Sequence, residues 1–253
     1  MKQLIILTAA LLAASAACAQ IAIDQNRALA GNVTPGDAPG FPITLSAPGS
    51  YKLTGNLTVP AGVKGIAVTA SGVTLDLNGH TIAGPSTCAR NETTRAVTCS
   101  YQSELSIGID AQAVAGIEVR NGTISGFGGT GLVPGQLGRF DNLRLTQNYR
   151  GAFFASANAP HAGSRFSNSL FDTNQTLGLS LNMGLVVNSR AIHNGGTGFF
   201  GTAQLLVADS QALGNGGFGL WATAVRGTQA ADNGNNVGYV TSMGGNLNGS
   251  TPY

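Results

Sequence analysis

The sequence predicts an all-β solenoid: a right-handed parallel β-helix of about eight rungs, closed by a short N-terminal capping helix. Three observations predict it. A Gly followed by a mostly apolar residue recurs at Gly108, Gly131, Gly151, Gly178, Gly198, Gly219 and Gly238, with spacings of 23, 20, 27, 20, 21 and 19 residues. An Asn column keeps step with it: Asn148, Asn174, Asn194, Asn215 and Asn233 each lie three to five residues ahead of their Gly. A third column runs through Asn121, Asn142, Asn168, Ser189 and Ser210, each followed three positions later by Ile124, Leu145, Phe171, Ile192 or Leu213. Self-similarity of this length marks a repeat architecture.

Each repeat reads as strand, polar turn, strand, polar turn. In residues 115–127, Ile117 and Val119 alternate with Glu118 and Arg120 before Asn121-Gly122 interrupts the pattern. Period-2 alternation is that of a strand with one buried face. Asn and Gly tolerate the positive φ a sharp turn needs. One such unit cannot bury its own apolar side. Stacked about 4.8 Å apart, many units share a continuous core roughly 40 Å long. Asn repeated at one position can form a side-chain ladder along the stack.

Taken in order, residues 1–19 read as a secretory signal peptide: a basic start, an apolar run from Leu4 to Ala17, and a small-residue site cleaved after Ala19. Lipidation of Cys18 is the competing reading, weakened by Ser15 where that motif usually carries Leu. No second long apolar run follows, so no transmembrane segment is expected. Residues 20–40 form the N-terminal cap, with Asp24 as the helix N-cap and Gly31 as its stop. Residues 41–240 form the β-helix. Gly65 to Gly108 covers two periods, and residues 85–105 are a loop inserted there at a turn. Cys88 and Cys99, 11 positions apart in this loop, are expected to form a disulfide in an oxidising compartment. A metal pair is the weaker alternative, with no His or further Cys nearby. Residues 241–253 read as an irregular tail over the last rung.

Composition narrows the function. Charged residues are 9% of the chain against about 25% in ordinary domains, and hydrophobic residues are 43%. With a net charge of +2 and no basic stripe, a nucleic-acid partner is excluded. A secreted or periplasmic location follows from the signal peptide.

Residues 73–82, Val-Thr-Leu-Asp-Leu-Asn-Gly-His-Thr-Ile, resemble the signature strand and turn of bacterial right-handed parallel β-helix proteins, the broad group that contains pectate lyases and polygalacturonases. Residues 41–53 resemble the opening segment of secreted members. The resemblance spans about 41–240 and is specific for fold. It implies polysaccharide binding along one lateral groove, and for the lyases clustered carboxylates holding Ca²⁺ with Arg or Lys as base. The hydrolases need two or three carboxylates close together. Here the acidic residues are dispersed, and the Asn-Thr-Asp, Asp-Asp, Gly-His-Gly and Asp-Pro-His motifs of enzymes in this group are absent.

Stacking can still gather single charges. Aligning Ile124 with Leu145 puts Glu118 beside Arg139 and Arg120 beside Asp141, with Asp76 next to Arg120. Asp76, Glu118, Arg120, Arg139 and Asp141 are therefore the candidate catalytic residues, Arg120 the candidate base. Ordinary cross-rung ion pairs are the competing reading. His80 and His193 fall at turns and His161 in a loop, so no metal site is expected. The residues after each apolar Gly-column partner, Asp110, Val133, Phe153, Ser180, Phe200, Trp221 and Val240, form an outward column if the phase is right. Phe153, Phe200 and Trp221 are its candidate carbohydrate-binding rings. The opposite phase remains open, since the neighbouring column is also apolar. The chain is therefore expected to be a non-catalytic secreted protein binding a polysaccharide or surface protein, without a cofactor. The alternative is a polysaccharide lyase, the one reading under which Ca²⁺ is a possible cofactor. No oligomeric interface is legible.

Overall fold

A computed structural model describes residues 20–154, 163–201, 203–238 and 241–252. The signal-peptide reading, Cys18, His161, Tyr239 and Val240 lie outside the described residues. The chain coils into a three-sided parallel stack. Two faces belong to one 18-stranded sheet that bends along its length, and the third is a nine-stranded parallel sheet from Ile43–Leu45 to Asn235–Val237. The first face runs from Ile21–Ile23 through Gly49–Leu53 and Val73–Asp76 to Thr241–Ser242. The second runs from Leu57–Thr58 to Leu247–Asn248.

Single residues of left-handed backbone make the two bends beside the second face. One bend uses Asn121, Asn142, Asn168, Asn188, Asp209 and Gly227; the other uses Gln147, Thr173, His193, Gly214 and Asp232. Such a residue turns the chain sharply without adding length, so one rung stays over the next. Alternating side chains then point inward. Phe140, Phe166, Phe171 and Phe199 stack along the interior, with successive ring centroids 4.5, 5.7 and 6.0 Å apart.

The Asn column forms a buried ladder. Asn148 donates its backbone N–H and its Nδ2 to Asn174 Oδ1, at 3.1 and 3.2 Å. Asn174, Asn194 and Asn215 repeat this with Asn194, Asn215 and Asn233. Each Nδ2 also reaches back to a backbone carbonyl, as Asn194 does to Phe171. The Gly column is required by close approach of the next rung's backbone carbonyl and, from Gly131 onward, of the ladder carboxamide as well. A Cβ on Gly178 would lie 3.0 Å from Asn194 Nδ2 and 2.7 Å from Gly198 O, and one on Gly198 would lie 2.9 Å from Asn215 Nδ2.

The ends are closed differently. Asp24 accepts from the Arg27 N–H at 2.8 Å and caps the helix Gln25–Ala30, which buries Ala28 and ends at Gly31 with φ 72°. Residues 21–23, expected within the cap, instead begin the first face. Residues 241–252 are not an irregular tail: two short parallel strands complete the last rung, and Thr251–Pro252 folds back antiparallel on Leu247–Asn248. Among the described residues the stack has about nine rungs, close to the number expected.

Two expected columns slip. Phe171 is in register with Ala191, not Ile192, and Ala191 with Ala212, not Leu213. The left-handed residue at those rungs is Asn188 or Asp209, one before Ser189 or Ser210. A one-residue shift reverses every side chain, so Ile192 and Leu213 face outward while Ala191 and Ala212 are buried. At the C-terminal end Leu220 pairs with Val237, which takes Gly238 out of the Gly column.

Asn194→Ala removes an acceptor for two donors of Asn174 and a donor to Phe171 in a dry interior. It is expected to lower the unfolding free energy by about 2–4 kcal/mol. Urea unfolding of the variant checks this; a loss as small as that of an exposed Asn substitution refutes the role assigned to the ladder.

Candidate functional site

Three surfaces carry side chains with chemistry, and the register decides which of them meet. On the first face, Lys52, Asp76, Arg120 and Asp141 occupy successive rungs of one outward column, and Glu118, Arg139 and Arg165 lie in the next. Glu118 is thus opposite Arg139 and Arg120 opposite both Asp76 and Asp141, as the alignment predicts. The contacts are narrower than the expected five-residue cluster. Arg120 donates to Asp76 at 3.1 Å and to Glu118 at 2.7 Å. Asp141 instead accepts from Ser167 at 2.6 Å and Asn168 at 2.8 Å, and Glu118 pairs with Arg120 rather than Arg139.

The electrostatics of the triad follow from these contacts. Partial burial alone raises the Asp76 carboxyl pKa. The Asn78 N–H, the Asn121 carboxamide and the Arg120 guanidinium together outweigh it and hold the group below the ordinary carboxylate range. The Asp76 hydrogen bond raises Arg120 most, burial opposes it, and the Glu118 hydrogen bond and charge add to the rise. A base must give up its proton; these two carboxylates make Arg120 a firmer cation.

The aromatic column lies on the third face. Ile109, Leu132, Ala152, Leu179, Phe199 and Leu220 point inward and are fully buried, which resolves the phase. Phe153, Ser180, Phe200 and Trp221 are consecutive outward neighbours, with Val133 and Asp110 on earlier rungs. Phe153, Phe200 and Trp221 are half-buried, whereas Val133 is 6% exposed. The Phe200 and Trp221 centroids are 6.1 Å apart, and Phe218 meets Trp221 edge-on at 4.9 Å. Arg150 stacks over Phe153 at 4.7 Å and bonds Glu104 at 2.9 Å. This column and the Arg120 triad are on different faces and share no groove.

The sequence reading missed a third surface. Along the bend between the first and second faces, Asp76, Asn78, Asn121, Asn142, Arg144 and Asn168 line an open groove of about 520 Å³. The same bend holds a second hollow of about 470 Å³ beside Asn188, Arg190, Asp209 and Gln211. The Asn-Gly turn signal was visible, but not that the bend it makes is concave outside.

Cys88 and Cys99 are disulfide-bonded, with Cα atoms 4.0 Å apart. They close an antiparallel hairpin of Cys88–Arg90 and Val97–Cys99. The hairpin lies along the Asn-ladder bend: the Cys99 N–H donates to Gln175 at 3.0 Å, and Arg90 donates to the Gly214 carbonyl at 3.0 Å. His80 sits in its turn, and His193 Nδ1 is 3.8 Å from Asp172. Among the described residues no three His, Cys, Asp or Glu side chains gather as a metal cage requires, and no helix is long and apolar enough to cross a membrane.

Asp76→Asn keeps the side-chain shape and removes the charge that holds Arg120. It is expected to cost about 1–2 kcal/mol of unfolding free energy near neutral pH. A carboxyl with a depressed folded pKa contributes stability that is complete above its unfolded value, and this is lost as pH falls through the folded one. The gap between wild type and variant should therefore close in acid, below the ordinary Asp range. Urea unfolding across that range measures it; a gap independent of pH refutes the assignment.

No family profile and no curated protein matches the sequence. Among solved structures, the crystal structure of pectate lyase Pel9A is similar, at 18% identity and a TM-score of 0.56. The match covers 78% of this chain and 60% of that one, so the chain spans less than two thirds of that protein's length. At that identity the likeness is one of fold alone: the chain is a parallel β-helix whose fold is similar to that of the pectate lyase.

Proposed function

We propose that the protein is a secreted, non-catalytic β-helix that binds carbohydrate through its third face. The observation that carries this reading is the in-register pair Phe200 and Trp221, outward on adjacent rungs and half-buried. Partly exposed rings on a rigid sheet offer flat apolar area at a fixed spacing, which suits the faces of successive sugar rings. Phe153 with its stacked Arg150 extends the surface two rungs away. The apolar leader-like start of the sequence and the disulfide support an oxidising, extracytoplasmic setting. The partner is a polysaccharide, or a surface protein carrying one.

Removing a central aromatic anchor costs about 2 kcal/mol of binding, roughly 30-fold in affinity. Trp221→Ala and Phe200→Ala should each weaken binding by that order on a glycan array or in affinity electrophoresis. Wild-type binding that both variants retain removes the third face from the reading, and no binding by the wild type removes carbohydrate.

A polysaccharide lyase is the second reading, favoured by the fold likeness to a pectate lyase. It would use Arg120 as base beside Asp76 and Glu118, with Arg139 and Asp141 flanking; Ca²⁺ would have to be held by the Asp76 and Glu118 carboxylates and would supply positive charge toward a uronate. Against it stands the chemistry of the triad, in which both carboxylates are committed to keeping Arg120 protonated. Ultraviolet detection of unsaturated product from pectate, alginate and glycosaminoglycans with added Ca²⁺ decides between the two. The expected result is no product, and product formation lost in Arg120→Gln would establish the lyase.

A further inference from the structure

The first face changes character partway along the stack. Its early rungs carry the charges described above, ending at Arg165, which is in register with Arg139. Beyond it the outward columns become apolar: Leu185 and Leu206 follow Arg165, while Val187 and Ala208 follow Ser167. Their inward neighbours Phe166, Val186 and Val207 fill the core, while Leu185, Leu206 and Val187 stay half-buried on the outer side and Ala208 is buried beneath them. These outward side chains floor a cavity of about 280 Å³ bounded by Arg165, Arg226 and Met243.

The charges at its ends are unequal. Arg226 is held by Asp209 at 3.3 Å. Arg165 and Arg139 are exposed, and among the described residues neither guanidinium forms an ion pair. Like charges directly opposite on neighbouring strands repel, and an anion beside Arg165 would relieve that. A guanidinium at the mouth of an apolar hollow is complementary to a molecule with an apolar body and an anionic head. The volume falls just below the roughly 300–1,000 Å³ of sites for drug-sized ligands, which points to a small one.

We propose that this cavity binds a small soluble amphipathic carboxylate, its apolar body across Leu185, Leu206 and Val187 and its carboxylate on Arg165. The site lies on a different face from Phe200 and Trp221 and is independent of carbohydrate binding there.

Titration calorimetry of the full chain with octanoate tests it. Saturable binding at one site per chain is expected. Arg165→Gln and Leu206→Gln should each weaken it about tenfold or more, with Arg165→Lys recovering part of the loss. Octan-1-ol, which lacks the charge, should bind more weakly by a similar factor, and Trp221→Ala should bind octanoate as the wild type does. Both positions face outward, and matching melting curves establish that the variants fold. Absence of saturable octanoate binding overturns the proposal, as does equal binding by the wild type and both Gln variants. Binding to phosphatidylglycerol vesicles without binding to octanoate overturns it in favour of a membrane surface.

Discussion

From Asn148 onward, register between successive rungs is held by the buried carboxamide ladder, and the outward columns of that half of the stack depend on this register. A parallel stack has no chain-local reason to stay aligned: each rung is some twenty residues long, and adjacent strands could slide. The ladder removes that freedom. Asn148 Oδ1 takes the Phe127 N–H, Oδ1 of Asn174, Asn194, Asn215 and Asn233 each takes two donors from the rung before it, and each Nδ2 reaches back to a carbonyl, so a slip would strand several buried polar groups at once. The hydroxyl column at the other bend works in the same direction. Leu143 donates its N–H to Ser169 Oγ, Ser169 to Ser189, and Ser189 to Ser210.

That coupling also explains what could be read from the residues alone. Gly recurs because a Cβ there would strike the next rung's carbonyl, and from Gly131 onward the ladder carboxamide crowds the same point, so the two columns keep step. The pairings of Glu118 with Arg139 and Arg120 with Asp141 followed from the same register. The slip at Ser189 and Ser210 has a specific origin. The sequence has Asn168-Ser169, Asn188-Ser189 and Asp209-Ser210, each a polar doublet in which either residue suits a turn. Only the backbone shows that the first member takes the left-handed conformation and the second offers its hydroxyl to the rung before. Residue chemistry could not separate two adjacent turn-forming residues with opposite jobs.

The candidate sites were legible to different depths for the same reason. Which residues share a column is a matter of register, and the Phe200–Trp221 neighbourhood was accessible from spacing. Which partner a long side chain chooses within reach is not. Asp141 is opposite Arg120 yet bonds Ser167 and Asn168, because a short carboxylate is satisfied by nearby groups of the next rung without drawing a guanidinium across. The concave bend lined by Asn121, Asn142 and Asn168 was hidden for another reason: it is a property of two faces meeting, which no single strand pattern records.

The charge order along the first face bears directly on catalysis. In a parallel stack the near neighbours of an outward side chain are the same position one rung up and one rung down. A carboxylate pair that splits acid and base roles requires two acids close enough to raise one pKa, and the simplest way to build it here is acid above acid in one column. This chain does the reverse. Lys52, Asp76, Arg120 and Asp141 alternate in sign, so each carboxylate in the column has a cation on an adjacent rung, and Asp76 is pushed down rather than up. Among the described residues of this face, like charges stack where Arg139 lies over Arg165, and Arg165 is at the edge of an apolar hollow. The arrangement spends its acids on holding the sheet face together and leaves positive charge free. Among the described residues of the Asp76 column no carboxylate stands above another, so the arrangement that would raise one carboxyl pKa is not built there.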